Sequence, residues 1–96
     1  MFEWDPEKAR SNSKKHGVSF EEAATAFLDP DGLDGEDLEH SEVEERRLRL
    51  AKSSLGRVLL VAYTIRRLND EEETTRIISA RRASRKERAA YAKAKD

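Results

Sequence analysis

The 96-residue sequence predicts an α+β fold with two N-terminal helices, an antiparallel sheet of three to four strands and a C-terminal helix. Three observations carry this. Helix-start signals occupy residues 5 to 28, Arg47 to Leu50 alternates with period two before segments rich in Val, Leu, Ile and Thr over Arg57–Arg66 and Thr74–Ala80, and a further helix start follows at Ser84.

The first helix opens at Asp5-Pro6, where the Asp carboxylate can accept from free backbone N–H groups and proline presets the first helical φ. It extends to about Lys15, with Lys14, Lys15 and His16 at the end where the helix dipole favours positive charge, and Gly17 as its left-handed stop. Ser19 and Glu22 form a capping box for the second helix, with Val18 placed to staple onto Ala23. Phe20, Ala23, Ala24, Phe27 and Leu28 then make one apolar stripe, which Asp29-Pro30 ends. From Pro30 to Glu45 the chain is acidic and turn-rich, with room for a short edge strand at most. Strands are expected over about Arg46–Ser53, Arg57–Arg66 and Thr74–Ala80, joined as a meander by Ser54-Leu55-Gly56 and by the polar turn Asn69–Glu73. Ser84 and Glu87 form a second capping box, and the alanine-rich helix after it has Tyr91 as its main anchor.

Length allows one compact domain over residues 1–96. Hydrophobic residues make up 36% and charged residues 41%, a lean supply for a self-sufficient core, so part of the burial is expected from a partner. With no cysteine, disulfide staples, thiolate metal sites and thiol redox chemistry are excluded. No window approaches the roughly 20 apolar residues of a membrane span, and no apolar stretch follows a basic cluster at the start, so a soluble, cytoplasmic protein with no membrane contact is expected. The net charge of -1 hides an asymmetry: residues 1 to 45 carry 14 acidic against 4 basic side chains, whereas residues 46 to 96 carry 6 against 15. Either the basic half presents a face to a polyanion, or the two halves pair across the fold.

Several ordered motifs resemble one family. They are Phe2-Glu3-Trp4-Asp5, then Asn12 with Lys15-His16-Gly17-Val18-Ser19-Phe20-Glu21-Glu22-Ala23, and Phe27-Leu28-Asp29-Pro30. Asp37, His40-Ser41 and Glu44-Glu45-Arg46 follow, then Gly56-Arg57, Tyr63-Thr64 with Arg66, Arg76 to Arg81, and Glu87-Arg88 with Tyr91. In this order and spacing they resemble the BrnT family over nearly the whole chain. The resemblance implies a RelE-like fold and a metal-independent endoribonuclease, without cofactor, whose cleavage of cellular RNA arrests growth. It also implies neutralisation by a BrnA-like antitoxin carrying a ribbon-helix-helix domain, in a heterotetramer of two toxins and two antitoxins, with DNA contacted only through the antitoxin. The turn Leu68 to Thr75, with Glu71-Glu72-Glu73, is longer than the family's usual hairpin.

Metal-independent RNA cleavage needs a base for the 2′-hydroxyl proton, an acid for the leaving oxygen and cations around the transition state. His16 is one of two histidines and suits proton transfer near neutrality, although its position equally makes it a helix cap. His40 sits among carboxylates that repel RNA and ranks below it. Arginines hold phosphate through a planar fork. Arg66 ends an otherwise apolar face of its strand, and Arg76 lies on the next strand. Strand parity sets Arg76 and Arg81 on opposite sides unless a bulge intervenes. These residues give the candidate site: His16, Arg66 and Arg76 as catalytic groups, with Lys15, Tyr63 and Arg81 contacting RNA, Tyr63 by stacking a base. Arg82, Arg85, Lys86 and Arg88 are either a phosphate-holding cluster or a solvated helix face. Trp4, Phe2 and Tyr91 read as core. Asp29, Asp31, Asp34 and Asp37 do not match calcium-loop spacing, so no metal site is expected. The competing function is a non-catalytic module whose basic half grips nucleic acid or an acidic protein.

Overall fold

The computed structural model describes residues 1–39 and 45–95. In chain order the elements are β1 (Phe2–Glu3), α1 (Pro6–His16), α2 (Phe20–Thr25) continued by a 3-10 turn (Ala26–Leu28), β2 (Leu33–Glu36), β3 (Arg47–Lys52), β4 (Val58–Arg67), β5 (Glu73–Arg82) and α3 (Arg85–Lys95). The strands form one sheet in the order β1-β5-β4-β3-β2, antiparallel except for β1, which lies parallel to β5.

The expected helix and strand order holds, and the sheet is larger than the three to four strands expected. It has five, because Phe2-Glu3 adds a two-residue parallel strand and Leu33–Glu36 a second edge. A two-residue strand has too few positions to show an alternation, so sequence pattern carries no trace of β1. The second helix is shorter than its apolar stripe. It tightens into a 3-10 turn after Thr25, since Pro30 holds Asp29 at an extended ψ of 114° and closes off the α-helical path.

Local caps appear as the sequence demands. Asp5 accepts from Glu7 N at 2.9 Å, Ser19 from Glu22 N at 3.0 Å, and Gly17 ends α1 at φ 67°, a left-handed value that disfavours any side chain. Ser84 and Glu87 cap α3 reciprocally, at 2.8 and 3.1 Å. The main core lies between α1, α2 and one face of the sheet, with Val18, Phe20, Ala23 and Ala26 against Ala51, Leu59, Val61, Ile77 and Ala80. Trp4 packs edge-on to Phe20 with ring centres 5.9 Å apart. The other face carries a smaller cluster under α3, where Leu50, Ala83 and Tyr91 meet Val58 and Leu60. Tyr91 is the buried residue of α3, and its hydroxyl donates to Asp29 at 2.5 Å.

Beyond its short pairing with β1, β5 would leave a raw sheet edge. Asn12 of α1, buried, closes it: its amide donates to Ala80 O at 2.8 Å and to Val18 O at 3.0 Å, and its carbonyl accepts from Ala80 N at 3.1 Å. One side chain thus replaces a neighbouring strand there, and it seats α1 on β5.

Candidate active site

A β-bulge in β5 sets the geometry. Tyr63 pairs with Ile77 and Ala62 with Ser79, so Ile78 is an extra residue that reverses the alternation along β5. Thr64, Ala62 and Leu60 on the face that α3 partly covers stand opposite Arg76, Ser79 and Arg81 respectively. Arg76 and Arg81 therefore point to the same side. Simple parity separates them; the extra residue brings them back together.

Arg66 shares that face, opposite Thr74. Its Nη1 and the Nη1 of Arg76 both donate to Glu3 Oε2, each at 2.7 Å. Two guanidiniums thus meet at one oxygen, with side-chain exposures of 51% for Arg66, 34% for Arg76 and 28% for Glu3, so solvent and ligand can reach all three. Glu3 is held there by backbone: Thr75 N donates to Met1 O at 2.9 Å, Thr74 Oγ1 donates to the same oxygen at 3.1 Å, and Glu3 stands beside Arg76 in the parallel register.

Lys15 and His16, at the C-terminal end of α1, line a cleft of about 210 Å³ with Lys8, Ser11, Asn12, Ile78 and Ser79. Lys15 is exposed and His16 half-buried. Ser79 links this cleft to the arginines, since it lies on their face two ladder positions from Arg76. At about 3.3 Å per residue that separation is roughly 7 Å along the strand.

The remaining sequence-chosen residues are placed differently. Arg81 is clamped to Glu87 by two hydrogen bonds of 2.8 Å, and its Nη1 also donates to Arg82 O at 3.2 Å. The guanidinium holds the Glu87 carboxyl down to about 2, and the carboxylate in turn raises Arg81. Most of the Arg81 fork is therefore committed to seating α3. Tyr63 faces the opposite side of the sheet from Arg66 and is 5% exposed, edge-on to Phe27 with ring centres 5.0 Å apart. Its hydroxyl donates to Asp34 at 2.7 Å and accepts from Arg47 Nε at 3.4 Å, while burial and then the Asp34 contact raise its ionisation. No ring face is left for a nucleobase, and the stacking role expected of Tyr63 is withdrawn on that ground. His40 lies outside the described residues.

Two other polar clusters are structural. Glu22, buried on α2, accepts from Arg57 and from Ser53 Oγ, and the Arg57 hydrogen bond is the main cause that lowers its ionisation. Arg49 donates to Ala26 O, Asp29 O and Asp34 while lying over the Phe27 ring, and it crowds Gly32 so closely that a Cβ there would collide with the guanidinium. Both clusters bind the acidic first half to β3, β4 and their connecting turn. Among the described residues, no three histidine or carboxylate side chains converge as metal ligands. Sequence reading missed Glu3, for want of any way to see that β1 joins β5.

Fold and site together describe a small α+β protein in which β4 and β5 bring two arginines to one carboxylate of the edge strand β1, with a separate cleft at the end of α1 beside β5. The chain belongs to the family described as "Ribonuclease toxin, BrnT, of type II toxin-antitoxin system", whose profile matches residues 4–87. A similar solved structure is that of the Brucella abortus ribonuclease toxin BrnT, with 19% sequence identity and a TM-score of 0.62, covering 88% of this chain and 99% of that one. That likeness concerns the fold. No curated protein sequence matches the chain. Among the described residues, no helix is long and apolar enough to cross a membrane.

Proposed function

We propose that the protein is a metal-independent endoribonuclease with a RelE-like fold that cleaves cellular RNA in the cytoplasm and so arrests growth. A BrnA-like antitoxin with a ribbon-helix-helix domain neutralises it in a complex of two toxins and two antitoxins, and DNA is reached only through that partner. The observation that carries the reading is the meeting of Arg66 and Arg76 at one point in space, 2.7 Å from the same oxygen. Two planar, permanently charged donors aimed at one anionic oxygen suit a phosphoryl group gaining charge in its transition state. Lys15 adds a supplementary cation, and His16 beside it transfers a proton to or from the reacting oxygens.

The test is direct. Purified protein in excess chelator is expected to cut single-stranded RNA and leave 2′,3′-cyclic phosphate ends. Arg66→Ala and Arg76→Ala should each lose about 10²- to 10³-fold in rate and relieve growth arrest. Arg85→Ala and Lys86→Ala, on the exposed start of α3, should change little. Protein that binds RNA tightly and never cuts it would leave the binding-module function in its place.

A further inference from the structure

We propose that Glu3 is the general base of the cleavage reaction, an inference that rests on the ribonuclease reading above. The usual account of a carboxylate among arginines is charge pairing, and the geometry here goes further. A single carboxylate faces two guanidiniums, so the cluster keeps a net charge of +1. Both arginines donate to the same oxygen, Oε2, although a paired carboxylate can offer one oxygen to each partner. Among the described residues Oε1 accepts no hydrogen bond and each arginine engages only its Nη1, leaving Nε and Nη2 as donors.

Such an arrangement receives a phosphate without displacing Glu3. The free guanidinium edges take the non-bridging oxygens, and the unengaged Oε1 stands beside the phosphate they hold, where the adjoining 2′-hydroxyl must lie. The bonds to Met1 O from Thr75 N and from the Thr74 hydroxyl, with the register beside Arg76, hold Glu3 in position, as a base requires.

The step balances without any further reagent. Oε1 takes the proton of the 2′-hydroxyl while O2′ bonds to phosphorus. The P–O5′ bond breaks with its electron pair on O5′, which takes a proton from the His16 imidazolium. A 2′,3′-cyclic phosphate and a 5′-hydroxyl result, and water returns the proton from Glu3 to His16.

A base and an acid separate cleanly when the leaving group is changed. In an RNA oligonucleotide with sulfur in place of the scissile 5′ oxygen, the thiolate departs without a proton, so only the base remains necessary. On ordinary RNA, Glu3→Gln and His16→Ala should both lose about 10²- to 10⁴-fold. With the sulfur substrate, His16→Ala should recover to within about threefold of wild type while Glu3→Gln stays as slow as before. Glu3→Asp, which keeps a carboxylate one methylene short, should fall between Glu3→Gln and wild type. Binding of uncleavable 2′-O-methyl RNA should be as tight or tighter in Glu3→Gln, which removes a negative charge from the site.

If wild type cuts the sulfur substrate and Glu3→Gln cuts it within about threefold as fast, Glu3 is only a counter-ion and the proposal falls while the ribonuclease reading stands. A Glu3→Gln loss of binding equal to its loss of rate would also overturn it, by making Glu3 a positioning residue. A wild type that cuts neither substrate overturns both.

Discussion

Replacing Asn12 with alanine should unfold this protein more readily than almost any other single polar substitution. The side chain is 7% exposed and makes three hydrogen bonds, to Ala80 O, Val18 O and Ala80 N, at 2.8 to 3.1 Å. Each such bond contributes about 1 kcal/mol net, and the truncation removes all three at once, so the loss should be about 3 kcal/mol. For a domain of this size, 1 kcal/mol corresponds to roughly 4–8 °C, which puts the fall in Tm at about 12–24 °C. Urea unfolding followed by circular dichroism should show the midpoint drop with an unchanged slope. Asn12→Asp should be no better, because a carboxylate keeps the acceptor for Ala80 N but presents negative charge to two carbonyl oxygens. A loss below about 1 kcal/mol for Asn12→Ala would mean that Asn12 does not close the β5 edge, and the account of how α1 is seated would fail.

Three further outcomes are expected. Glu87 lies near 2 in the folded protein against 4.5 for the free side chain, so its contribution to stability is complete above about 4.5 and is lost as pH falls towards 2; Glu87→Gln should flatten that part of an acid-unfolding curve. Tyr91→Phe removes the donor to Asp29 and should cost about 1–2 kcal/mol, read as faster amide hydrogen exchange along α3. Tyr63→Phe should cost about 1 kcal/mol through loss of the Asp34 contact, yet leave RNA cleavage within about threefold of wild type; a loss near that of Arg66→Ala would return Tyr63 to the site.

Local chemistry made much of the fold legible. Asp5-Pro6, Ser19 with Glu22, Gly17 and Ser84 with Glu87 each act within a few residues of where they stand, so the sequence alone located α1, α2 and α3. Alternation in β3 and the Val, Leu, Ile and Thr content of β4 and β5 located these strands to within about two residues. What failed was non-local. β1 is defined by its partner β5, far along the chain, with Phe2 paired to Thr75 and Glu3 to Arg76, and neither Phe2 nor Glu3 carries a mark of that pairing. The bulge at Ile78 was also invisible, because Arg76-Ile77-Ile78-Ser79 reads equally well as an unbroken strand. That one inserted residue decided which arginines share a face. Tyr63 shows the opposite failure: nearness in sequence to Arg66 suggested nearness in space, and three positions along a strand put it on the other side of the sheet.

The opposed charges of the two halves resolve in a way neither simple reading contained. Part of the acidic half does pair with the basic half: Glu22 with Arg57, Asp34 with Arg49, Asp31 with Lys95, and Glu3 with both Arg66 and Arg76. These pairs differ in kind. Glu22 is buried and Arg49 nearly so, each with several hydrogen bonds, and they hold helices and the β2 edge to the sheet. At Glu3 the count is unequal, one carboxylate for two guanidiniums, and the exposure is higher. Exposed pairs of this sort contribute little to stability, with a median of about 0–1 kcal/mol. The β1 register and the Met1 backbone bonds, by contrast, hold the main chain of Glu3 whether or not its side chain is charged. The arginines there are thus oriented by a weak contact that an incoming phosphate can share, whereas those at Glu22 and Asp34 are locked by contacts it cannot enter. Pairing across the fold and offering a face to a polyanion are therefore the same arrangement seen at different depths of burial.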